Sequence, residues 1–451
     1  MRTWVVTVLV AFLAPAGLWA QLGNSGSPSS MGGIPFGNGQ TPSLSYAGET
    51  TPTNMFVATL STQTTYDTAA LQTTAPHIGD VIYSLGPQFS LVQTEGNFTA
   101  ALDYQPYFNL YQRLTEYDRV NQSAAADLSY KFGPHLTVRV RDSFMHQTGM
   151  YQPQSGTDFV AGLGAPTALN TTVYSPLLSE RINNTRFDAI YKKSARTSFT
   201  LFGDYANSHF GSSPASTVSV LSTESVTGGA QYAYRASEHL TFAALYTFQP
   251  MRFLGALPAG SASQTTVQSA LLSLGWQASP TLSLSLFGGP QYTVRQGFQG
   301  TTSTPAGTAS TPGNHFSWAA GGTLTKQSGK TALVLSVSRA VSNGGAWLPA
   351  VTASTVNIGL RRHLVRRWDG SFNLIYAQNQ YLGSLLGGER LDSETADVTL
   401  SRSLGERATA RLSYDFIQQQ GTGLSILGED FNHSRVSFGI FYQLRKSPLG
   451  R

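Results

Sequence analysis

No cysteine occurs among the 451 residues, which excludes disulfides and thiolate metal sites. Charge is scarce as well: Asp, Glu, Lys and Arg together make up 12% of the chain, against about 25% in an ordinary soluble domain. Between Gln21 and Gln112 there is no Lys or Arg, while five acids stand there, Glu49, Asp67, Asp80, Glu95 and Asp103. From Arg113 onward 28 basic residues face 19 acidic ones. Those bases stand singly rather than clustered with stacking aromatics, which argues against nucleic acid as a partner. Long apolar runs are also missing, since bursts such as Ala332 to Leu335 are cut by Ser within a residue or two. A membrane helix needs about 20 apolar residues in a row. There is no P-loop, no Gly-x-Gly-x-x-Gly and no His-Glu-x-x-His. The eight His are scattered, so no cofactor or metal is expected.

What is present begins with a targeting pattern. Arg2 precedes an apolar run from Trp4 to Leu13, Pro15 and Gly17 break it, and Ala20-Gln21 offers a small-residue cleavage point. Residues 1–20 thus read as a secretory signal peptide. Residues 21–80 are rich in Gly, Ser, Pro and Thr and read as a flexible leader, with one candidate strand at Met55 to Thr62.

From residue 81 to 444 the chain becomes a succession of alternating segments. Ala124, Ala126, Leu128, Tyr130 and Phe132 alternate with Ala125, Asp127, Ser129 and Lys131; Leu136, Val138 and Val140 alternate with Thr137, Arg139 and Arg141. A period of two places one set on each face of a strand. The connections alternate in length too. Short ones fall at Gly133-Pro134, Lys193 to Arg196, Arg235 to Glu238, Ala278 to Pro280, Gln327 to Lys330, His363 to Arg366 and Leu404 to Glu406. Between them lie longer Gly/Ser/Thr/Pro-rich stretches, among them Gln147 to Glu180, Ser342 to Ala350 and Gly421 to Asn432. Short turns at one end and long loops at the other are the habit of transmembrane barrels. Aromatics mark both ends: Tyr130, Phe132, Tyr191, Tyr234, Trp276, Trp368 and Tyr442 near the short turns, and Phe144, Tyr205, Phe248, Tyr292, Phe316, Trp318, Tyr376 and Phe416 near the long loops.

The fold expected is all-β, a transmembrane antiparallel up-and-down β-barrel of 16 to 18 strands. Seventeen segments can be read from Ile82 onward, yet an even number is needed for both ends to lie on one side. Either Ile82 to Gln93 is not a barrel strand, giving sixteen, or Met55 to Thr62 is an added one, giving eighteen. The tight turn Thr94-Glu95-Gly96-Asn97 favours eighteen.

The last strand is the most specific signal. Val436, Phe438, Ile440, Tyr442 and Leu444 alternate with Arg435, Ser437, Gly439 and Gln443. The run Ser437, Gly439, Tyr442, Leu444 resembles the C-terminal insertion signal of bacterial outer-membrane barrels, and the chain as a whole is similar to porin-like outer-membrane β-barrel proteins. That resemblance implies an outer-membrane location, contact with outer-membrane lipid and assembly by the barrel-insertion machinery. One departure is plain: such chains usually stop at the terminal aromatic residue, whereas residues 445–451 continue here and are expected as a short periplasmic tail.

With the apolar set toward lipid, Asp127, Lys131, Arg139, Arg141, Asp188, Asp204, Arg361, Asp397, Arg411, Asp415 and Arg435 face the lumen. Opposite charges on neighbouring strands can serve simply to hold the wall together; as a pore lining they would set ion preference. The longest connection, Gln147 to Glu180, has an apolar centre at residues 159–166 and is expected to fold into the lumen. No catalytic residue is assigned. His433 and Ser434 are adjacent and point to opposite faces, and His315 with Ser317 share a face but lack a third orienting group. The function expected is a porin-like channel for small hydrophilic solutes. The alternatives are a barrel serving envelope assembly or polysaccharide export and, less favoured, an outer-membrane lipase. A homo-oligomer and a periplasmic export partner both stay open.

Overall fold

The computed structural model describes residues 54–71, 78–148, 172–174, 178–211, 220–255, 262–298, 314–382, 390–422 and 431–448. Residues 1–53, expected to hold a signal peptide and most of a leader, lie outside them, as does the apolar centre at residues 159–166. The first six strands are β1 (Met55–Leu71), β2 (Ile78–Glu95), β3 (Phe98–Tyr111), β4 (Arg119–Lys131), β5 (Leu136–Thr148) and β6 (Ser179–Lys192). Next come β7 (Thr197–Gly211), β8 (Ser222–Arg235), β9 (Leu240–Leu254), β10 (Ala262–Ser279), β11 (Leu282–Phe298) and β12 (His315–Ser328). The last six are β13 (Thr331–Gly344), β14 (Leu348–Val365), β15 (Trp368–Tyr381), β16 (Arg390–Ser403), β17 (Ala408–Thr422) and β18 (Phe431–Pro448). Every strand pairs antiparallel with its neighbours in sequence, and β1 pairs with β18, so the sheet is a closed barrel of eighteen strands. Closure leaves no free edge, and every strand finds a ladder on both sides.

Alternation becomes two faces. Leu128, Tyr130, Val140, Leu201, Val436, Phe438, Ile440 and Tyr442 are exposed on the outside, whereas Ser437 and Asp415, on the other parity, are 3% and 2% exposed. The outer face is therefore apolar side chain standing free of protein contact, the arrangement that hydrocarbon rather than water would cover. Of the aromatics read at the two ends, Tyr130, Phe132, Tyr191, Tyr234, Trp276 and Tyr442 are exposed near the short turns, and Tyr205, Phe248, Tyr292, Phe316, Trp318 and Tyr376 near the long connections.

Three boundaries differ from the sequence expectation. The strand at Met55 that the favoured count of eighteen requires is present and starts the wall ahead of residue 81, but it is longer than expected: β1 runs on past Thr62 to Leu71 and forms the closing seam, where Thr65 lies opposite Ser437 with their hydroxyls 2.9 Å apart. The tail does not leave the wall after Leu444, because β18 continues to Pro448, which sits opposite Met55. Its backbone ladder to β1 supplies the partners that solvent would otherwise provide. Finally, Ser342 to Ala350 is not a long connection. The β13–β14 ladder continues to the pair Gly344 and Leu348, turned by residues 345–347 with Gly345 at φ +66°. That angle is one that glycine adopts without the Cβ penalty other residues meet.

Candidate functional site: the lumen and its constriction

The inner face holds two groups of paired charges. On β4 to β7, Arg139 forms an ion pair with Asp127, Arg141 forms one with Asp188, and Arg186 reaches the other oxygen of Asp188 at 2.9 Å. The Arg186 guanidinium also lies 4.6 Å from the centre of the Phe202 ring and directly opposite Asp204 in the ladder. The second group follows one hydrogen-bond row across five strands: Asp80, Asp67, Arg435, Asp415 and Asp397 stand opposite one another in turn on β2, β1, β18, β17 and β16. Like charges placed directly opposite destabilise a ladder, so each carboxylate needs a donor. Asp80 accepts from the backbone N–H groups of Arg113 and Leu114 at 2.9 to 3.1 Å, which pins the β3–β4 connection inside the wall. Asp67 accepts from the Ala69 N–H at 2.9 Å, and the Nε2 of the fully buried His433 lies 3.0 Å from the same oxygen.

The eleven charges read from the sequence therefore fall into two sets. Arg141, Asp188, Asp204, Asp415 and Arg435 are each less than a tenth exposed and meet neighbours rather than open solvent. Lys131 and Arg411 are exposed, and Asp127, Arg139, Arg361 and Asp397 partly so. Arg411 lies with its guanidinium 4.5 Å from the centre of the Phe441 ring. His315 and Ser317 share the inner face of β12, but no hydrogen bond joins them among the described residues. Nor do the described residues bring together a group of three or more His, Asp or Glu placed to hold a metal.

Two further features shape the lumen, and the first of them is not in the sequence reading. The first is an apolar inner wall. Phe202, Leu245, Leu271, Ala319 and Ala340 form one buried cluster on β7, β9, β10, β12 and β13. A second joins Ala206, Met251, Phe253 and Val267 to Val341 and Ala350 of the β13–β14 hairpin. From Ala340 to Ala346 and again from Leu348 to Ala353 both faces of that hairpin are buried, so its end is packed within the barrel wall and not in water. The signal was available: Leu245, Met251, Phe253, Leu271 and Phe287 are large apolar residues on the parity that should have been polar.

The second feature is a crossing of the lumen. The loop between β5 and β6 returns through Thr172, Val173 and Tyr174, and Thr172 and Tyr174 reach the opposite wall on β15, β16 and β17. The Gln419 side chain grips both backbone groups of Tyr174, accepting from its N–H at 2.9 Å and donating to its carbonyl at 3.1 Å. The Tyr174 hydroxyl pairs with Thr395 at 2.6 Å, and Asn379 donates to Thr172 at 3.2 Å. The hairpin tip closes on the same point: Trp347 Nε1 donates to the Tyr174 carbonyl at 3.2 Å, and a Cβ on Gly345 would come within 2.9 Å of the Val173 side chain. On its far side, the Ala346 carbonyl accepts from the Leu221 N–H at 2.9 Å. Two inward elements thus meet in the lumen, and the inward course expected for residues 147–180 is seen in the part of the loop that the structure describes.

No family model matches the chain, and no curated protein matches it significantly. Among solved structures, OccK2 (OpdF) of Pseudomonas aeruginosa in complex with glucuronate is similar over 86% of this chain and 98% of that one, at 10% identity and a TM-score of 0.44. OpdK of the same organism, with vanillate, is similar over 87% and 98% at 11% identity and 0.41. OccAB4 of Acinetobacter baumannii is similar over 88% and 99% at 10% identity and 0.41. Identities and scores of that size leave the functional reading to the geometry of this chain.

Proposed function

We propose that the chain is a porin-like channel of the bacterial outer membrane, passing small hydrophilic solutes through a lumen narrowed where residues 172–174 meet the β13–β14 hairpin tip. The observation that carries this reading is the pairing of a closed eighteen-strand wall, apolar outside, with an inner face that bears ion-paired Arg and Asp. Eighteen strands enclose a space wide enough for water unless something fills it. Of the eleven inward charges read from the sequence, Asp127, Lys131, Arg139, Arg361, Asp397 and Arg411 keep water contact, so they are the ones to set ion preference. In this reading Ser437, Gly439, Tyr442 and Leu444 serve as the signal for the insertion machinery. The test is single-channel recording of the purified, folded protein in a planar bilayer. Discrete current steps with a reproducible ion selectivity are expected; a folded, inserted barrel that gives none overturns the proposal.

One observation favours a second reading. The dry packing of Val341 and Ala350 against Met251, Phe253 and Val267 suits a barrel that is sealed at rest and serves an export or assembly partner in the periplasm. Silent bilayers together with a co-purifying periplasmic protein would select it.

A further inference from the structure

The outer face carries a carboxylate where an apolar residue belongs. On β5 the outward positions run Leu136, Val138, Val140, Asp142, Phe144, so Asp142 is bracketed by apolar neighbours on its own strand. Its partners are on β6: Thr185, directly opposite, donates its hydroxyl at 2.6 Å, and the Asn183 amide donates at 3.4 Å. Both donors reach Oδ1, so Oδ2 is without a partner among the described residues. An ionised carboxylate offers about four acceptor sites, and lipid tails supply no donor. On the other side of Asp142 lies its ladder neighbour Ala126, with Ala124 one outward position further along β4. These small residues floor a groove of about 390 Å³, walled by Phe56, Phe89, Leu91, Leu102 and Tyr104 and ending at Asp142.

We infer that this sector of the wall, β3 to β6, is an interface with a second copy of the same chain in the membrane. The inference rests on the outer-membrane reading above. Copies inserted in one orientation are related by an axis along the membrane normal, so a patch meets its counterpart at the same depth. At that depth the patch carries an acceptor with spare capacity, Asp142, and a donor with a second N–H to give, the Asn183 amide, so Asp142 of one copy faces Asn183 of the next. It also carries a hollow over Ala124 and Ala126 and a protruding ring, Phe187, which is 46% exposed. Hydrogen-bond complementarity and shape complementarity thus reside in one surface. Small residues that let backbones approach, with polar groups bonded across the contact, are what holds protein surfaces together in lipid.

The absence of native cysteine makes the test clean. Ala126→Cys sits in the patch, and Val337→Cys, on the outer face of β13 nine strands away, is the comparator. Envelopes holding each variant are treated with a short bismaleimide, with heat-modifiable migration reporting folding in every case. Covalent oligomers from Ala126→Cys, none from Val337→Cys, and a several-fold loss when Asp142→Leu is added are expected. An inserted barrel whose Ala126→Cys gives no oligomer, or no more than Val337→Cys, overturns the interface alone. So does an Asp142→Leu barrel that gains thermal stability with no change in cross-linking, since Asp142 would then be meeting lipid. Recovery of the folded protein in the soluble fraction would overturn the membrane reading as well.

Discussion

Gln419→Ala should open the constriction, and the structure sets how far. The Gln419 amide satisfies the Tyr174 N–H and shares the Tyr174 carbonyl with Trp347, while its oxygen also accepts from Ser393 at 3.3 Å. Truncation strands the N–H, which costs about 1–3 kcal/mol when the group is shielded from water, and removes a second bond whose net worth is about 0.5–1.5 kcal/mol. The carbonyl itself stays paired through Trp347. A loss of about 2–4 kcal/mol in the grip on residues 172–174 follows, or a shift of one and a half to three decades in the attached-to-detached ratio. The segment stays tethered by Tyr174 to Thr395 and by Thr172 to Asn379, so frequent partial release is expected in place of permanent loss. Single-channel recording reads this directly as a higher mean conductance with open-state noise that the parent channel lacks. Tyr174→Phe, which removes only the Thr395 bond, should show the same change on a smaller scale. Gln443→Ala, on the inner face at the short-turn end, should show none. Conductance and noise identical to the parent in Gln419→Ala would refute the view that the Tyr174 crossing narrows the path.

Asp188→Asn should lower the temperature at which the barrel loses compact migration on gels, because it takes the ion pair from the buried Arg141, which stands opposite Arg186, at a cost of about 3–5 kcal/mol; Arg139→Gln, at a side chain 35% exposed, should cost only about 0–1 kcal/mol. Ile440→Arg puts a cation on the outer face and should reduce insertion by about 2–4 kcal/mol, whereas Gln443→Arg on the inner face should be tolerated in the same assay; equal tolerance would reverse the assigned sidedness. Gly289→Ala should fail to fold or fold with a shifted β10–β11 register, because the new Cβ would lie 2.0 Å from the Ala270 carbonyl oxygen, a backbone atom that cannot swing aside; normal migration and stability would refute it.

The fold was legible wherever the two faces of a strand differ in chemistry. In β4, β17 and β18, and in β5 apart from Asp142, the outer residues are mainly apolar and the inner ones mainly polar, so the period of two declares both the strand and its sidedness. β1 hides because its outward positions include Thr62 and Thr64 beside Leu60 and Tyr66, and hydroxyls on both faces erase the contrast. Met55 to Thr62 showed as a candidate strand only, and the even strand count together with the tight turn at Thr94 to Asn97 argued for it. The end of β13 hides for the opposite reason. Ala340, Val341, Ser342 and Asn343 are buried on both parities, and a segment packed on two sides has no reason to alternate. Its Ser, Asn and Gly residues then look like a loop, although they are a hairpin whose polar backbone is satisfied by its own ladder.

The site was legible as a set of charges and illegible as a constriction, and the reason is sequence distance. Arg139 with Asp127 and Arg141 with Asp188 lie on adjacent strands, so parity brings them within reach, although the register sets Asp127 opposite Arg141 and Arg139 opposite Asp188 and the ion pairs form on the diagonals. Tyr174 and Gln419 are 245 residues apart and meet only because β5 and β17 stand across the lumen from each other. Nothing local in Thr172-Val173-Tyr174 marks a crossing. What could be read was the cost of leaving the loop's apolar centre in water, which says that it must pack without saying against what. Asp142 is the converse case. Its position on the outer parity of β5 is plain in the sequence, between Val140 and Phe144, yet as a lone polar residue in an apolar row it looks like noise. Only the hydrogen bonds from Thr185 and Asn183 and the hollow beside it turn the exception into a surface.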